Sequence, residues 1–146
     1  MKKILIIDDE ESGGELAAKV LKLAGFDVVT SDSASTALKY LDEHMGDFEA
    51  VLLDLAMPEL DGLSLVYNIR LNEQKRELNN KQPIRIAFYT ARNKDEATAR
   101  VMEREGVEKF FAKPLDTPDL GNKVAEWLSE CPSDSYKSRT GNIGVQ

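Results

Sequence analysis

The sequence predicts an α/β protein built on a doubly wound, five-stranded parallel sheet, and three observations lead there. Apolar runs of strand length alternate five times with segments of helical period: ILII (4–7), DVVTS (27–31), AVLLD (50–54), IRIAFYT (84–90) and EKFFA (108–112). Such alternation reads as parallel strands joined by crossover helices. The first and third runs carry no polar interruption, as strands covered on both faces should. Gly25, Gly46 and Gly106 each stand between a helical segment and the next strand, where a left-handed residue is favoured.

Each element has its own signal. The first helix is expected to open at Ser12, with Glu15 three residues on as a capping box, and to bury Leu16, Ala17, Val20, Leu21 and Ala24 before Gly25 ends it. The third helix runs into NEQKRELNNKQ (72–82), a polar stretch longer than the usual connection of about 2 to 6 residues. An extended helix end followed by a loop is expected. In the fourth, RNKDEATARVMERE, the apolar anchors are Ala97, Val101 and Met102, so it should be thinly held. The fifth has Thr117 as expected N-cap and Pro118 at the first helical position, buries Leu120, Val124, Trp127 and Leu128, and should stop near Ser129. Residues 1–129 form the expected domain. Residues 130–146, rich in Ser and Gly with no apolar period, read as a polar, disordered tail.

Composition narrows the function classes. A chain of 146 residues buries roughly two-thirds of the surface its unfolded form exposes, enough for one core. A net charge of -7 argues against direct nucleic-acid binding, because counterion release needs clustered Lys and Arg. The single cysteine, Cys131, permits no internal disulfide and reads as a surface thiol. The N-terminal apolar run stops at acids after four residues, too short for a secretion signal, and no run reaches transmembrane length. A cytoplasmic location without membrane contact is expected.

The chemistry gathers at strand ends. In an open parallel sheet the ligand crevice lies at the carboxyl ends of the strands. Asp8 and Asp9 follow the first strand, Asp54 ends the third run and Lys113 follows the fifth, so these four should converge, with Glu10 close by. Two carboxylates about 5 Å apart repel by about 3 kcal/mol at an effective dielectric near ~20. Three ionised together need cations or raised pKa values. Lys113 supplies one charge, and a hard divalent ion can supply the rest. A phosphate-binding loop is excluded, since the turn after the first strand is Asp8-Asp9-Glu10-Glu11 where glycines and amides would be needed.

ILIIDDEES, VLLDLAMPELDG, YTA and FFAKPL, in that order between residue 3 and about residue 129, resemble the receiver domain of bacterial two-component response regulators. The resemblance implies a flavodoxin-like sheet of order 2-1-3-4-5 and assigns roles. Asp54 would accept a phosphoryl group as an aspartyl phosphate. Mg²⁺ would be held by Asp9 directly, by Asp8 partly through water, by Asp54 and by the carbonyl of Ala56. Thr90 would hydrogen-bond a phosphoryl oxygen, and Lys113 would pair with Asp54 and then with the phosphoryl group. Phe110 is either the aromatic that swings inward when Thr90 moves or an ordinary core residue. Ala56 and Arg92 occupy positions that govern the access of hydrolytic water in the family. Ala56 offers no side-chain hydrogen bond, and Arg92 has the reach to touch the phosphate. Met57-Pro58 and Asp61-Gly62 would shape the turn after the third strand, and a cis bond is implied at Lys113-Pro114.

The implied function is a single-domain regulator that takes phosphate from a histidine kinase or histidine phosphotransfer protein and signals through the fourth and fifth strands and fourth helix to a downstream protein, with a homodimer left open. It would be no enzyme beyond catalysing its own phosphoryl transfer and autodephosphorylation. Two alternatives stand beside it. One is a Mg²⁺ phosphohydrolase of haloacid dehalogenase type, although such enzymes place the nucleophile in a DxD motif after the first strand, where this chain has DDE. The other is a receiver-like scaffold that is never phosphorylated.

Overall fold

The apolar runs pair side by side into one parallel sheet of order β2-β1-β3-β4-β5 in the computed structural model. The described residues are 3–57, 61–75, 83–113 and 117–132, without the side chains of Glu11, Ser12, Gly13, Met45, Thr117 and Pro118. The elements alternate without exception: β1 (Lys3–Ile7), α1 (Glu11–Leu23), β2 (Asp27–Ser31), α2 (Ala34–His44), β3 (Phe48–Leu53), α3 (Gly62–Lys75), β4 (Arg85–Thr90), α4 (Glu96–Glu105), β5 (Lys109–Ala112) and α5 (Thr117–Ser129). The order is the one the resemblance implies.

Strand alternation divides the core between the two faces of the sheet. Leu5, Ile7, Val51, Leu53, Ile86 and Phe88 meet α2, α3 and α4 through Leu41, Leu65, Ile69 and Val101. Ile4, Ile6, Ala50, Leu52 and Ala87 meet α1 and α5 through Leu21, Leu120, Val124 and Trp127. The sequence shows this as unbroken apolar runs in β1 and β3, because both strands lie inside the sheet and both faces are covered.

Several local expectations need correction. α1 opens at Glu11, and its N-cap is Glu10, which makes no side-chain capping bond. The Glu10 carbonyl already accepts the Gly14 N–H at 3.0 Å, so Ser12 falls inside the first turn and is no cap. The buried stripe is Ala17, Ala18, Val20 and Leu21, whereas Leu16 is 57% exposed and Ala24 is also outside the core. A residue beside a buried stripe is about 100° away from its neighbour around the helix. Gly25 and Gly106 have φ of 100° and 68° as expected. Gly46 does not take a left-handed conformation, because α2 tightens into a 3-10 turn over Met45–Asp47, which uses the last helical carbonyls itself. α4 is anchored by Thr98 and Val101 with Met102 partly buried, while Ala97 is exposed. Asp95 caps it, accepting the Thr98 N–H at 2.8 Å and the Thr98 hydroxyl at 2.7 Å. These bonds, the hydroxyl one first, hold the Asp95 carboxyl below its ordinary range. α5 begins at Thr117 itself, so Thr117 is the first helical residue and not its cap, a difference of one residue at a helix end.

Two buried arginines organise the edges of the fold, and neither was legible as a core residue. Glu73, within the polar stretch expected to face solvent, is buried on α3 and pairs with Arg70 at 2.8 Å. Arg70 also donates to the carbonyls of Ile84 (2.7 Å), Glu105 (2.8 Å) and Gly106 (3.4 Å), and Glu73 accepts the Ile84 N–H at 2.6 Å. One ion pair thus joins α3, the start of β4 and the end of α4. Arg85 pairs with Glu108 at 2.8 Å and donates to the carbonyls of Trp127 (3.1 Å), Leu128 (3.4 Å) and Glu130 (3.1 Å). A cation at a helix C-terminus satisfies carbonyls that lack intrahelical partners, and the bond to Glu130 ties that residue to the fold. Residues 1–2, 58–60, 76–82, 114–116 and 133–146 lie outside the described residues, and with them Pro58 of the Met57-Pro58 pair, most of the 130–146 tail, the rest of the 72–82 segment and the Lys113-Pro114 bond. Cys131 is exposed, as expected.

Removing one partner of a buried pair leaves the other charge uncompensated. Arg70→Met is therefore expected to lower the unfolding free energy by about 3 to 5 kcal/mol, measured by urea denaturation. A loss below about 1 kcal/mol, the range of an exposed ion pair, would show that this cluster behaves as a surface contact.

Candidate phosphoacceptor and metal site

The site begins with two strand ends side by side. Ile7 of β1 lies in register with Leu53 of β3, and the ladder continues one step, the Asp54 N–H donating to the Ile7 carbonyl at 2.9 Å. On the other side the Asp8 N–H donates to the Ser31 carbonyl of β2 at 3.0 Å. Asp8 and Asp54 therefore stand on adjacent strands with their backbones fixed by the sheet. Both side chains are buried, Asp8 at 5% and Asp54 at 7% exposure. Asp9 is half-buried, and one carboxylate oxygen from each of the three lies within 4.8 Å of the others.

The counter-charge arrives from the far side of the sheet. β5 is separated from β3 by β4, two strand spacings of about 4.8 Å each, so only a long side chain can bridge the distance. Lys113, whose N–H donates to the Thr90 carbonyl at 2.8 Å, does so. Its Nζ lies 2.7 Å from Asp8 Oδ2 and 3.0 Å from Asp54 Oδ2. The sequence pointed to Asp54 as the partner. The structure adds Asp8, by the shorter bond, and adds the Tyr89 ring, whose centroid is 5.1 Å from Nζ.

The remaining acceptor capacity is taken by backbone amides. Asp8 Oδ1 accepts the Glu10 N–H at 2.9 Å and Asp54 Oδ1 accepts the Ala56 N–H at 3.0 Å. Glu10 joins through its backbone, and its own side chain is exposed. Burial alone would lower the Lys113 pKa. The hydrogen bonds to Asp8 and then Asp54, with the attraction of both charges, outweigh it and raise the pKa above 10.5.

The rim is built by the loops after β3 and β4. Thr90 is fully buried, and its Oγ1 accepts the Arg92 N–H at 3.2 Å. Arg92 reaches across the mouth to the Leu55 carbonyl (3.4 Å) and Asp61 Oδ1 (3.5 Å), so its side chain points at the β3–α3 loop. Asp61 also accepts the Leu63 N–H at 3.1 Å, capping α3. Gly62 follows with no room to spare, since a Cβ there would stand 2.7 Å from Leu55 Cα and 3.1 Å from the Asp54 carbonyl oxygen. Asp61-Gly62 thus shapes the turn that presents Asp54, as expected. Phe110 is partly buried and packs edge-on to Phe88, centroids 6.3 Å apart at 83°. It lies in β5 and packs against the core cluster on the α2, α3 and α4 side, and Tyr89 and the Leu55 carbonyl are the site groups that sequence reasoning missed.

Three hard oxygen donors within 4.8 Å of one another suit a divalent cation that completes its shell with waters, which is the coordination habit of Mg²⁺. A buried carboxylate beside such a group and a lysine is set up to act as a nucleophile toward an anionic donor.

The chain belongs to the response regulator receiver domain family, whose match covers residues 4–125. It is 34% identical over 127 residues to the CAI-1 autoinducer sensor kinase/phosphatase CqsS of Vibrio cholerae, spanning 87% of this chain and 17% of that protein. It is 24% identical to the polar-differentiation response regulator DivK of Brucella ovis, covering 88% of this chain and 98% of DivK. Among solved structures, the response regulator TrrA of Thermotoga maritima in complex with Mg²⁺ and BeF superposes with a TM-score of 0.66 at 25% identity, over 86% of this chain and 98% of that one. The chain spans about half or less of the length of most of the curated relatives it matches. No helix among the described residues is long and apolar enough to cross a membrane.

A lysine whose pKa is raised on folding contributes stability in full below its unfolded value and loses it as pH climbs through the folded one. In metal-free buffer, the stability difference between wild type and Lys113→Met should stay constant from neutral pH to 10.5 and close only above it. Urea denaturation across that range checks this, and a gap that closes before 10.5 would contradict the raised value.

Proposed function

We propose that Asp54 accepts a phosphoryl group from the phosphohistidine of a kinase or phosphotransfer protein, and that the phosphorylated chain signals by changed affinity for a partner protein. The observation that carries this reading is the Asp54 carboxylate held 3.0 Å from Lys113 Nζ with Asp8 and Asp9 beside it. In the transfer one Asp54 oxygen forms a bond to phosphorus as the bond from phosphorus to the donor imidazole nitrogen breaks, and the imidazole leaves with that electron pair. Asp8, Asp9, Asp54 and the carbonyl of Ala56 would hold Mg²⁺. A divalent ion there supplies positive charge that offsets repulsion between the anionic nucleophile and the anionic donor. Asp9 would ligate directly and Asp8 partly through water.

The other residues follow from their places. Lys113 neutralises Asp54 before transfer and bonds a phosphoryl oxygen afterwards. Thr90 would exchange its bond from the Arg92 N–H for one to the phosphoryl group, and Phe110 would follow it inward, changing the face formed by β4, α4 and β5. α4 suits such a shift, since its buried anchors are few. The domain is proposed as residues 1–129, a reading the family match over residues 4–125 supports. Coverage of nearly the whole of DivK supports action as a single domain, and the proposal places it in the cytoplasm with a homodimer open to it. The phosphohydrolase alternative is disfavoured because the nucleophile follows β3 in a receiver-family chain and not β1. The intact cluster of acids and lysine speaks against an unphosphorylated scaffold.

Incubation with acetyl phosphate and Mg²⁺ should add the mass of one phosphoryl group to the wild-type chain and none to Asp54→Asn, read by intact mass spectrometry. Equal labelling of both would remove Asp54 from the role. Arg92→Ala should change the decay rate of the phosphorylated form about threefold or more, which corresponds to roughly 0.6 kcal/mol of barrier. An unchanged decay rate would falsify a role for Arg92 at the phosphoryl group.

A further inference from the structure

We infer that Tyr89 is a positioning residue for phosphoryl transfer, its ring face holding the Lys113 ammonium in reach of Asp54. The inference rests on the reading of Asp54 as phosphoryl acceptor. Three groups surround Lys113 Nζ: Asp8 Oδ2 at 2.7 Å, Asp54 Oδ2 at 3.0 Å and the Tyr89 ring centroid at 5.1 Å. The two carboxylates compete for the same ammonium, and Asp8 holds the shorter bond. A cation within about 6 Å of an aromatic centroid is attracted by the ring quadrupole, more strongly when desolvated, and the Lys113 side chain is only 18% exposed. This attraction is unaltered when Asp54 becomes an acyl phosphate and its charge moves outward.

The ring can act this way because it is fixed independently of the lysine. Tyr89 lies in register with Phe111 in the β4–β5 ladder and packs against the core cluster beneath α1 and α5. Phe111 is in turn set edge-on to Trp127, centroids 6.2 Å apart at 69°. The lysine is anchored one residue further along the same ladder, through its N–H to the Thr90 carbonyl. Ring and ammonium are thus offered to each other by one strand pair. An ammonium has three donor hydrogens; two carboxylates use two of them, and a third is needed for an incoming phosphoryl oxygen. A partner that attracts the cation without consuming a donor serves that need, and an aromatic face is such a partner.

The test compares Tyr89→Phe with Tyr89→Leu, in wild type and in Lys113→Met, by two readouts. With acetyl phosphate and Mg²⁺, Tyr89→Leu should accept phosphate about three- to tenfold more slowly than wild type, while Tyr89→Phe, which keeps the ring, should stay within about twofold. In the Lys113→Met background Tyr89→Leu should cause no further slowing. Independently of any phosphorylation, the loss in urea midpoint caused by Tyr89→Leu should be smaller in Lys113→Met than in wild type. The inference is overturned if Tyr89→Leu matches wild type, if Tyr89→Phe falls as far as Tyr89→Leu, or if the effects of the two sites simply add. If the wild-type chain takes up no phosphoryl mass, the reading of Asp54 fails separately, and the urea cycle still decides whether ring and ammonium are coupled.

Discussion

Everything at the carboxyl edge of this sheet depends on one ammonium group shared by two buried carboxylates. Asp8 and Asp54 sit on adjacent strands because the ladder of β1 and β3 puts them there, and without a cation their charges would oppose folding of the strands that carry them. Lys113 crosses from β5 to relieve that repulsion. On the proposed reading, the same bond would serve the chemistry. A carboxylate that is neutralised by contact, and not by protonation, keeps its lone pairs available to phosphorus. The lysine would thus serve the fold and the proposed chemistry with one arrangement, and the backbone amides of Glu10 and Ala56 hold the two acids in place.

The edges of the fold repeat this logic away from the site. Arg70 and Arg85 are buried where helices end, and each satisfies carbonyls as well as a carboxylate. Helix termini carry unpaired polar groups that burial would otherwise penalise. Arg70 fastens the last turn of α4 to α3 and β4, while the first turn of α4 is held by the Asp95 cap and the buried Thr98. Between these fixed ends α4 buries little apolar surface. A helix secured by polar contacts at its ends and thinly packed along its length is suited to small displacements, since few dispersion contacts are lost when it shifts.

The rim of the crevice links the loop after β4 to Asp54. Arg92 spans from the end of β4 to the Leu55 carbonyl and Asp61, and Gly62 keeps the β3–α3 turn tight against Asp54. A group arriving at Asp54 must therefore be accommodated by the loops after both β3 and β4. On the proposed reading, a covalent change on Asp54 would reach the surface by this route.

Periodicity and punctuation carried most of the architecture. Unbroken apolar runs marked β1 and β3 as interior strands, Gly25 and Gly106 marked helix ends, and acids at strand ends marked the crevice, because strand period, left-handed φ and the direction of a parallel ladder are local or nearly local properties. What required the assembled chain was the set of partners each buried polar group takes from distant segments: Arg70 on the carbonyls of Ile84, Glu105 and Gly106, Glu73 on the Ile84 N–H, Asp8 sharing Lys113 with Asp54, and Tyr89 under the ammonium. A polar residue declares its charge in the sequence but not the partner that makes burial tolerable. That partner comes from another strand or helix, and its identity is fixed only when the sheet sets their distance.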